Sequence, residues 1–402
     1  MANPVGIYIS VPFCKAKCTF CNFASGAFAA ERMQPYVDSL CNEIASAREM
    51  TQKIGAHLPE RADTVYFGGG TPSLLSAVQL QQLFECIRSE FALAKDAEIT
   101  IECAPGQLSD ETLDEMLRQG VNRISFGVQS FIDQETAAIG RLHTARECLE
   151  EIARVHAAGI ENIGIDLITG LPYQTRESWL YSIEQAIASQ AGHVSVYMLE
   201  VDDDSRLGRE VLTHGRRYHA TSVPSEDDTA MWYQMGCEKL DSAGIRQYEI
   251  SNFARGGQAS RHNLKYWKRQ PYIGFGLDAH SMLYSDTGAV RLANSDDMDA
   301  YMSNTSADSL RLFAPGRTID IIGIEQAFEE ALFLGLRMNE GINFRHLRDQ
   351  FGDQLIQSVM PSLPEVCDAG LLRLEQERAW LTAEGRMVSN EVFSRLLIAT
   401  PA

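Results

Sequence analysis

The sequence lacks both an excess of positive charge and any long apolar run. Its 54 acidic residues outnumber its 35 lysines and arginines, giving a formal net charge of −19. We therefore expect no nucleic acid among its main partners. No apolar stretch approaches the roughly 20 residues of a membrane helix, and no basic segment precedes an apolar core at the N-terminus, as in a secretory signal. These absences predict a chain with no transmembrane segment.

A disulfide framework is also missing. Six of the nine cysteines are scattered without regular spacing: Cys41, Cys86, Cys103, Cys148, Cys237 and Cys367. Scattered thiols are typical of a reducing compartment, so we predict a cytoplasmic location. The composition is ordinary for a globular protein, with 45% hydrophobic and 22% charged residues. A length of 402 residues allows one large barrel with an appendage, or two to three domains.

The other three cysteines, Cys14, Cys18 and Cys21, lie together just after the apolar run Gly6–Pro12. Three thiolates cannot pair off as disulfides, but they suit zinc or an iron–sulfur cluster. A structural zinc site has four ligands, and no neighbouring Cys or His supplies the fourth. We therefore favour a [4Fe–4S] cluster with one open iron. Half of a zinc site, or a chance grouping, is the alternative.

Short β-rich runs alternate with stretches of helical period along the first half of the chain, which predicts parallel βα units. The predicted strands are Gly6–Pro12, Thr64–Phe67, Glu98–Glu102, Arg123–Val128, Asn162–Ile168 and His193–Leu199. The predicted helices lie near 32–53, 77–93, 109–119, 144–158 and 176–189. In such a fold the ligand-binding residues lie at the C-terminal ends of the strands.

Polar or glycine-rich residues do follow successive strands. They are Gly70 and Thr71, Glu102, Gln129, Asp166, and Arg141 in the crossover after the fourth strand. Each alone is weak, because glycines form turns and strand-end carboxylates cap helices. Together they predict one mouth that binds a zwitterionic, ribose-bearing ligand.

A second group of residues lies at 250–277, which contains five cations and no Asp or Glu. Aromatic rings, including Tyr266 and Trp267, stand in the same stretch around His262. A planar apolar dianion suits this environment, and haem with His262 as axial ligand fits that description. The alternative is that His262 is a core or turn residue and the cations form a solvated face.

The spacing C-x3-C-x2-C after the first strand resembles the signature of the radical S-adenosylmethionine (SAM) superfamily. The resemblance implies that the open iron binds the amino and carboxylate groups of SAM. It also implies that an electron from the cluster cleaves the sulfonium bond to give a deoxyadenosyl radical. Phe20 matches the aromatic residue that packs near the adenine, and Gly70 and Thr71 match the motif that contacts the methionyl part.

The resemblance extends to the coproporphyrinogen-dehydrogenase-like branch of that superfamily. Its SAM-contacting residues match Glu102, Gln129, Arg141 and Asp166 in order and spacing, and its tyrosine ahead of the first cysteine matches Tyr8. Ala104 departs from the Asn that the branch usually has there, so the local turn is expected to differ.

The segment from His262 to Trp267 resembles the H-N-x-x-Y-W motif of the HemW-type haem chaperones, which is associated there with haem binding. The resemblance implies that His262, Tyr266 and Trp267 bind haem, with His280 as a secondary candidate. Asp278 departs from the glycine common at its position. This group also implies a homodimer and a haem-acceptor protein; the sequence identifies neither that acceptor nor the electron donor.

The fold class we predict is α/β. Residues 1–243 are predicted to form a partial, TIM-like (β/α)6 radical SAM barrel, with 201–228 as a surface connection or, alternatively, a lid. Residues 244–318 are predicted to form a haem-binding extension packed on the barrel, with a polar passage from Ser281 to about Thr318. Residues 319–402 are predicted to form a small winged-helix-like α+β domain, with helices near 325–338, 343–351 and 353–369 and then a hairpin.

Two functions follow from the resemblance. The first is a chaperone that transfers haem, with no catalytic residue assigned; whether SAM is cleaved in turnover stays open. The second is an oxygen-independent coproporphyrinogen III dehydrogenase. Those enzymes carry a further cysteine two residues beyond the last cluster ligand, where this chain has Phe23, and a substantial N-terminal extension, whereas Cys14 here is preceded by thirteen residues. Both features favour the chaperone. A radical SAM enzyme acting on another tetrapyrrole is a weaker third alternative.

Overall fold

The computed structural model describes residues 3–304 and 316–396. Within these residues the strands form a 12-stranded and a 3-stranded sheet. In chain order the strands are β1 (Val5–Val11), β2 (Arg61–Gly69), β3 (Ala92–Cys103), β4 (Arg123–Gln129), β5 (Asn162–Thr169), β6 (His193–Met198), β7 (Arg246–Gln247), β8 (Asn252–Ala254), β9 (Tyr272–Phe275), β10 (His280–Ser285), β11 (Gly288–Ala293), β12 (Thr318–Ile322), β13 (Ile342–Asn343), β14 (Leu372–Glu375) and β15 (Arg378–Leu381).

The helices of the first half are α1 (Met33–Lys53), α2 (Ala77–Glu90), α3 (Asp110–Arg118), α4 (Asp133–Ala138), α5 (Ala145–Ala157), α6 (Arg176–Ala188), α7 (Arg206–Leu212) and α8 (Glu226–Ser242). Those that follow are α9 (Arg261–Trp267), α10 (Met298–Asn304), α11 (Ile324–Arg337), α12 (Phe344–Phe351), α13 (Asp353–Val359), α14 (Leu363–Asp368), α15 (Ala383–Met387) and α16 (Ser389–Leu396). None of the helices within the described ranges is both long and apolar enough to cross a bilayer.

The first half is a series of βα units, as predicted. Strands β1 to β6 pair in parallel with their neighbours in sequence, and at least one helix separates each strand from the next. Several helices begin where the sequence provides a cap: Ser76, Thr144 and Thr175 each accept a backbone N–H from the residue three positions later. The predicted α/β class is confirmed.

The barrel is open. The sheet order is β12-β11-β10-β9-β1-β2-β3-β4-β5-β6-β8-β7, so within the described residues β1 and β6 each have another strand on their outer side. Strand β9 runs parallel to β1, and β8 runs antiparallel to β6. Strands of the predicted extension therefore lengthen the barrel sheet at both of its edges.

Side chains on the parallel strands alternate between an apolar outer side and a polar inner side. On β1, Ile7 and Ile9 are fully buried in the same apolar cluster as Leu40 of α1. Tyr8 points the other way and stacks on Tyr66 of β2, with 6.1 Å between ring centroids. The inner side also carries these buried polar residues: Thr64, Thr100, Arg123, Ser125, His193 and Ser195.

The polar passage predicted from Ser281 to about Thr318 contains regular elements where the structure describes it. Strands β10 and β11 pair as an antiparallel hairpin, and α10 follows. Leu283 and Val290 are buried in this hairpin, so a few apolar side chains among polar neighbours hold it against the core. Residues 305–315 of the passage lie outside the described residues.

The C-terminal region packs round its own apolar cluster, which includes Phe328, Phe344 and Val366. The predicted hairpin is present as β14 and β15, and the short β13 adds a third strand. The helix predicted over 353–369 is divided into α13, a 3₁₀ turn and α14. Pro361 lies in that turn, and proline has no N–H with which to continue a helix.

Candidate functional site

The C-terminal ends of the barrel strands surround a cavity of about 430 Å³. Ten of the side chains predicted from the sequence line it: Cys14, Cys18, Phe20, Cys21, Gly70, Thr71, Glu102, Gln129, Arg141 and Asp166. These residues come from the loop after β1 and from the next four βα units. The strand-end reasoning therefore finds one continuous site.

The loop that carries the three cysteines is held by its own backbone. The N–H of Cys14 donates to the carbonyl oxygen of Gly26 at 2.9 Å, and the N–H of Gly26 donates to that of Pro12 at 2.9 Å. The hydroxyl of Thr71 donates to Sγ of Cys14 at 3.7 Å. The loop thus turns back on the end of β1 and presents all three thiols to the cavity.

The three thiols do not form a site for a single ion. Across residues 3–304 and 316–396, no group of three His, Cys, Asp or Glu side chains is placed to hold one metal ion. In a four-iron cluster with one open corner, each thiolate binds a different iron, so the three sulfurs need not converge on one point. Thiols that share a cavity wall are compatible with such a cluster.

The thiols also have an electrostatic environment of their own. Burial raises the pKa of Cys14 and of Cys18, and at Cys18 the guanidinium of Arg141 opposes that rise. Because thiolates are the metal ligands, loading a cluster here releases protons.

The glycines after β2 serve the cysteine loop. A Cβ on Gly70 would lie 2.8 Å from backbone atoms of Pro12 and Val11, so only glycine fits beneath the loop. The N–H groups of Gly70 and Thr71 donate to the carbonyl oxygens of Val11 and Phe13 at 2.9 and 2.8 Å. Both of these N–H groups are therefore already bonded within the protein.

Glu102 is the carboxylate at the end of β3. The hydroxyl of Tyr66 donates to its Oε1 at 2.7 Å. Burial raises the pKa of Glu102 to about 7, and the charge of Asp166 adds to the rise, whereas the bonds from Tyr66 and the Gly69 N–H and the charge of Arg123 oppose it. Glu102 therefore changes charge near neutral pH, and a cationic ligand favours its ionised form.

Asp166 and Arg141 add a negative and a positive group to the cavity wall. Burial also raises the pKa of Asp166, while Ser195, Arg123 and Arg141 oppose the rise. The Nε of Arg141 is buried and has no hydrogen-bond partner within the described residues. A ligand that carries both a negative and a positive charge could accept a hydrogen bond from this donor and pair with the two carboxylates beside it.

Gln129 reaches the cavity through an irregular strand end. The pairing of β4 with β5 shifts register between Gly127 and Gln129, and Gln129 has φ of 70°. A left-handed conformation at a residue other than glycine costs of order 1–3 kcal/mol, and such strain is found at functional sites. The bulge turns the Gln129 side chain into the cavity wall.

Other residues of the wall were not predicted. They are mainly the residues that end and follow β6, namely Tyr197, Met198, Leu199 and Glu200, and two residues of the cysteine loop, Asn22 and Phe23. The rule that ligand-binding residues lie at the C-terminal ends of the strands, applied to the sixth strand, would have predicted the residues at the end of β6. No charge pattern marks Phe23 or Met198, which are exposed apolar side chains.

The structure does not bring Tyr8, His262, Tyr266 or Trp267 to the cavity wall. His262 is 1% exposed. Its Nδ1 bonds the hydroxyl of Thr64, and its Nε2 bonds the hydroxyl of Tyr266, both at 2.8 Å. To ligate a haem iron, the His262 ring would need one of these nitrogens without a partner and open space in front of it. The predicted axial role of His262 therefore does not fit this structure.

The H-N-x-x-Y-W segment instead fills the inside of the barrel. It forms α9, whose first N–H groups, those of Arg261 and His262, donate to the Glu98 carboxylate at 2.9 Å. The His262 ring stacks on Tyr66 with 5.2 Å between centroids. Since Tyr66 in turn bonds Glu102, α9 supports a cavity residue from below.

Removing the His262 ring should disturb that support. In a His262→Gln variant we expect weaker SAM binding, because Tyr66 loses its stacking partner and Glu102 its fixed donor. Calorimetric titration of the anaerobic protein with SAM measures this. Unchanged SAM affinity would contradict the argument.

Comparison with known proteins agrees with this geometry. The family model of the radical SAM superfamily matches residues 8–186, and that of the HemN C-terminal domain matches residues 325–388. The "Heme chaperone HemW" of Bacillus subtilis is 33% identical over 97% of this chain and 98% of its own length. The protein of that name from Lactococcus lactis is 31% identical over 99% and 98%.

Among solved structures, the coproporphyrinogen III oxidase HemN of Escherichia coli, a radical SAM enzyme, superposes with a TM-score of 0.82. It covers 99% of this chain and 91% of its own, at 20% sequence identity. At that identity the likeness shows the fold alone. The similarity to the curated relatives extends over nearly the full length and shows the family as well as the fold. The chain belongs to the HemW family of the radical SAM superfamily.

Proposed function

We propose that this protein is a haem chaperone that binds a [4Fe–4S] cluster, SAM and haem, and that transfers haem to an acceptor protein. The similarity to HemW relatives along nearly the whole chain carries the proposal, and the cysteine-lined cavity supports the cluster and SAM. A homodimer and an unidentified acceptor and electron donor are part of the same proposal.

Each cavity residue has a role in this proposal. Cys14, Cys18 and Cys21 would hold the cluster, which supplies an open iron and an electron. Glu102 and Asp166 would bind hydroxyl and cationic groups of SAM, and Arg141 would bind its carboxylate. Phe20 would pack against the adenine. The supporting observation is that these seven side chains line one cavity.

SAM affinity should rise with pH through the pKa of Glu102. Because that pKa is raised to about 7, the carboxylate is mostly neutral at pH 6 and mostly ionised at pH 8, so we expect about a tenfold gain in affinity for this cationic ligand. The α-amino group of SAM also titrates near pH 8. A Glu102→Gln variant is the control, because its side chain cannot ionise. If SAM affinity rises equally with pH in that variant, the titrating group belongs to SAM and not to Glu102.

Saturable haem binding tests the function. Anaerobically reconstituted protein titrated with ferric haem should give a Soret band that saturates near one haem per chain, and SAM should alter the rate at which haem passes to an apo-cytochrome. Absence of saturable haem binding would refute the proposed chaperone function.

The retained SAM cavity keeps one enzymatic function as a second candidate, the decarboxylation of coproporphyrinogen III. Anaerobic incubation with SAM, a reductant and coproporphyrinogen III distinguishes the two. We expect no decarboxylated product, because Phe23 stands where the dehydrogenases have a cysteine. Product formation would make this protein an enzyme.

A further inference from the structure

With His262 enclosed, a haem iron needs another imidazole. Three of the nine histidines, His143, His193 and His262, are buried. His57 and His280 lie beside Asp286 and Asp278. His156, His214, His219 and His346 are the remaining exposed ones. Of these four, His219 is the one whose ring, within the described residues, both packs against an aromatic side chain and bonds a hydroxyl.

His219 is oriented by a tyrosine. Its Nδ1 and the hydroxyl of Tyr173 are 2.8 Å apart, and the two rings are 5.2 Å apart. No partner is found for its Nε2 within the described residues. An imidazole fixed through one nitrogen and open at the other is the usual arrangement of a metal-binding histidine.

The backbone at His219 is strained. Tyr218 and His219 have φ of 54° and 61°, and Tyr173 has φ of 67°. Each left-handed residue of this type costs of order 1–3 kcal/mol. Tyr218 and His219 lie in a short 3₁₀ segment, Arg217–Ser222, whose backbone is not helical at these two positions, and the His219 ring lies against Tyr173.

The segment that carries His219 is fastened to the cysteine loop. The N–H of Leu207, in α7, donates to the carbonyl oxygen of Thr19 at 2.8 Å, and Arg206 donates to that of Lys17. Tyr218 packs in one apolar cluster with Phe20 and Ile168, both of which line the cavity. The segment that carries His219 is therefore packed against the cysteine loop.

The rim of the mouth is apolar and exposed. Phe23 is 64% exposed, Leu142 is 61% exposed and Met198 is 42% exposed, and all three line the cavity. Tyr173 and Leu212 are exposed nearby. Exposed apolar side chains gathered round a cavity mark a binding surface rather than a solvated face.

Cations border this rim. Lys15, Lys17, Arg206, Arg209, Arg216 and Arg217 make no ion pair within the described part of the chain. Two of them stand in the cysteine loop and four in residues 206–217, a stretch with one acid, Glu210. The acidic run Asp202–Asp204 precedes them, and Asp202 is occupied by the N–H groups of Asp204 and Ser205. Unpaired cations beside an apolar surface suit a ligand with a large apolar face and peripheral carboxylates.

We propose that haem binds on this rim, over the SAM cavity, with His219 as the axial ligand and the arginines at 206–217 facing the propionates. The proposal rests on the proposed chaperone function and gives it a site. Tyr173 orients the ligand, and Phe23, Leu142 and Met198 cover part of the porphyrin face.

Titration of the full-length, cluster-loaded protein with ferric haem tests the site. His219→Gln should lower haem affinity at least about tenfold, equivalent to roughly 1.4 kcal/mol, and should change the Soret maximum because the iron loses its imidazole. His214→Gln is the matched control, since His214 is also exposed and left-handed on the same segment; its affinity should match the wild type. The double variant Arg216→Gln/Arg217→Gln should weaken binding without moving the Soret maximum.

The outcomes separate the site from the function. If the wild type binds no haem, the proposed function fails. If the wild type binds haem and His219→Gln binds it equally, the rim site is wrong, and loss of the Soret band in His262→Gln would return the ligand to α9. If Phe23→Ser dissociates a dimer and leaves haem affinity unchanged, the rim is a subunit interface, which also overturns the proposal.

Discussion

Cys18→Ala should remove the cluster almost entirely. The wild-type protein, reconstituted anaerobically with iron and sulfide, should hold about four iron atoms per chain. With two thiolates left, the cluster loses the ligand nearest Arg141 and its third protein-bound iron, so we expect iron to fall close to zero and SAM binding to be lost with it. Iron and sulfide analysis together with the visible absorption near 400 nm measures the change.

The control for that variant is Cys103→Ala. Cys103 is buried and lines the same cavity but lies at the end of β3, outside the cysteine loop. Its replacement removes a buried sulfur and should lower stability by about 1 kcal/mol, with iron content unchanged. Equal iron loss in both variants would contradict the assignment of the ligands.

Arg317→Met should produce the largest loss of stability. Arg317 is 6% exposed, and its Nη2 lies 3.0 Å from Oε1 of Glu43 on α1. Asn294 and Tyr301 also donate to this carboxylate, at 2.7 and 2.8 Å, as does the N–H of Gly276 at 2.9 Å. The network ties α1 to the strands after β9.

Loss of the guanidinium leaves Glu43 buried without its counter-charge. Removing one partner of a buried pair typically costs about 3–5 kcal/mol. Burial already raises the pKa of Glu43 and Arg317 opposes that rise, so without Arg317 the carboxyl binds a proton more readily. The deficit should therefore shrink as pH falls, because the unpaired group becomes neutral.

Denaturant unfolding at pH 8 and pH 5 measures both the loss in the free energy of unfolding and its dependence on pH. Arg146→Met is the matched control, since Arg146 pairs with Glu150 on an exposed helix face and such pairs contribute about 0–1 kcal/mol. A loss in Arg317→Met no larger than in Arg146→Met would refute the importance of the network.

The six barrel strands and nine of the ten cavity residues could be predicted because they follow from local rules; Phe20 was assigned by the resemblance alone. Apolar runs such as Asn162–Ile168 coincide with β5 to within a residue, since the outer side of each parallel strand must be apolar to pack against the helices. Their C-terminal ends meet by geometry, so Glu102 and Asp166 could be assigned to one mouth without knowledge of the packing.

The hairpin β10–β11 and the Glu43 network could not be predicted in this way. Tyr284 and Ala289 become strand residues by pairing with each other. The sequence of the hairpin shows no helical or alternating pattern strong enough to predict this pairing. Glu43 looks like an exposed helix residue, because its partners Asn294 and Arg317 lie some 250 positions later.

His262 shows the limit of inference from residue type. A histidine among aromatic and basic residues suits haem, but it also suits a filled barrel. The choice depends on Thr64, Tyr266 and Glu98, which surround α9 only in three dimensions. Composition alone could not distinguish a ring that is open to solvent from one enclosed by partners.

The most direct test of the whole account is the spectrum of the reduced cluster with and without SAM. The account predicts about four irons per chain and a reduced [4Fe–4S] signal in electron paramagnetic resonance whose g values shift on addition of SAM, because three thiolates leave one iron free to bind it. A signal that SAM does not alter, or purified protein that takes up a single zinc in place of iron, would contradict it.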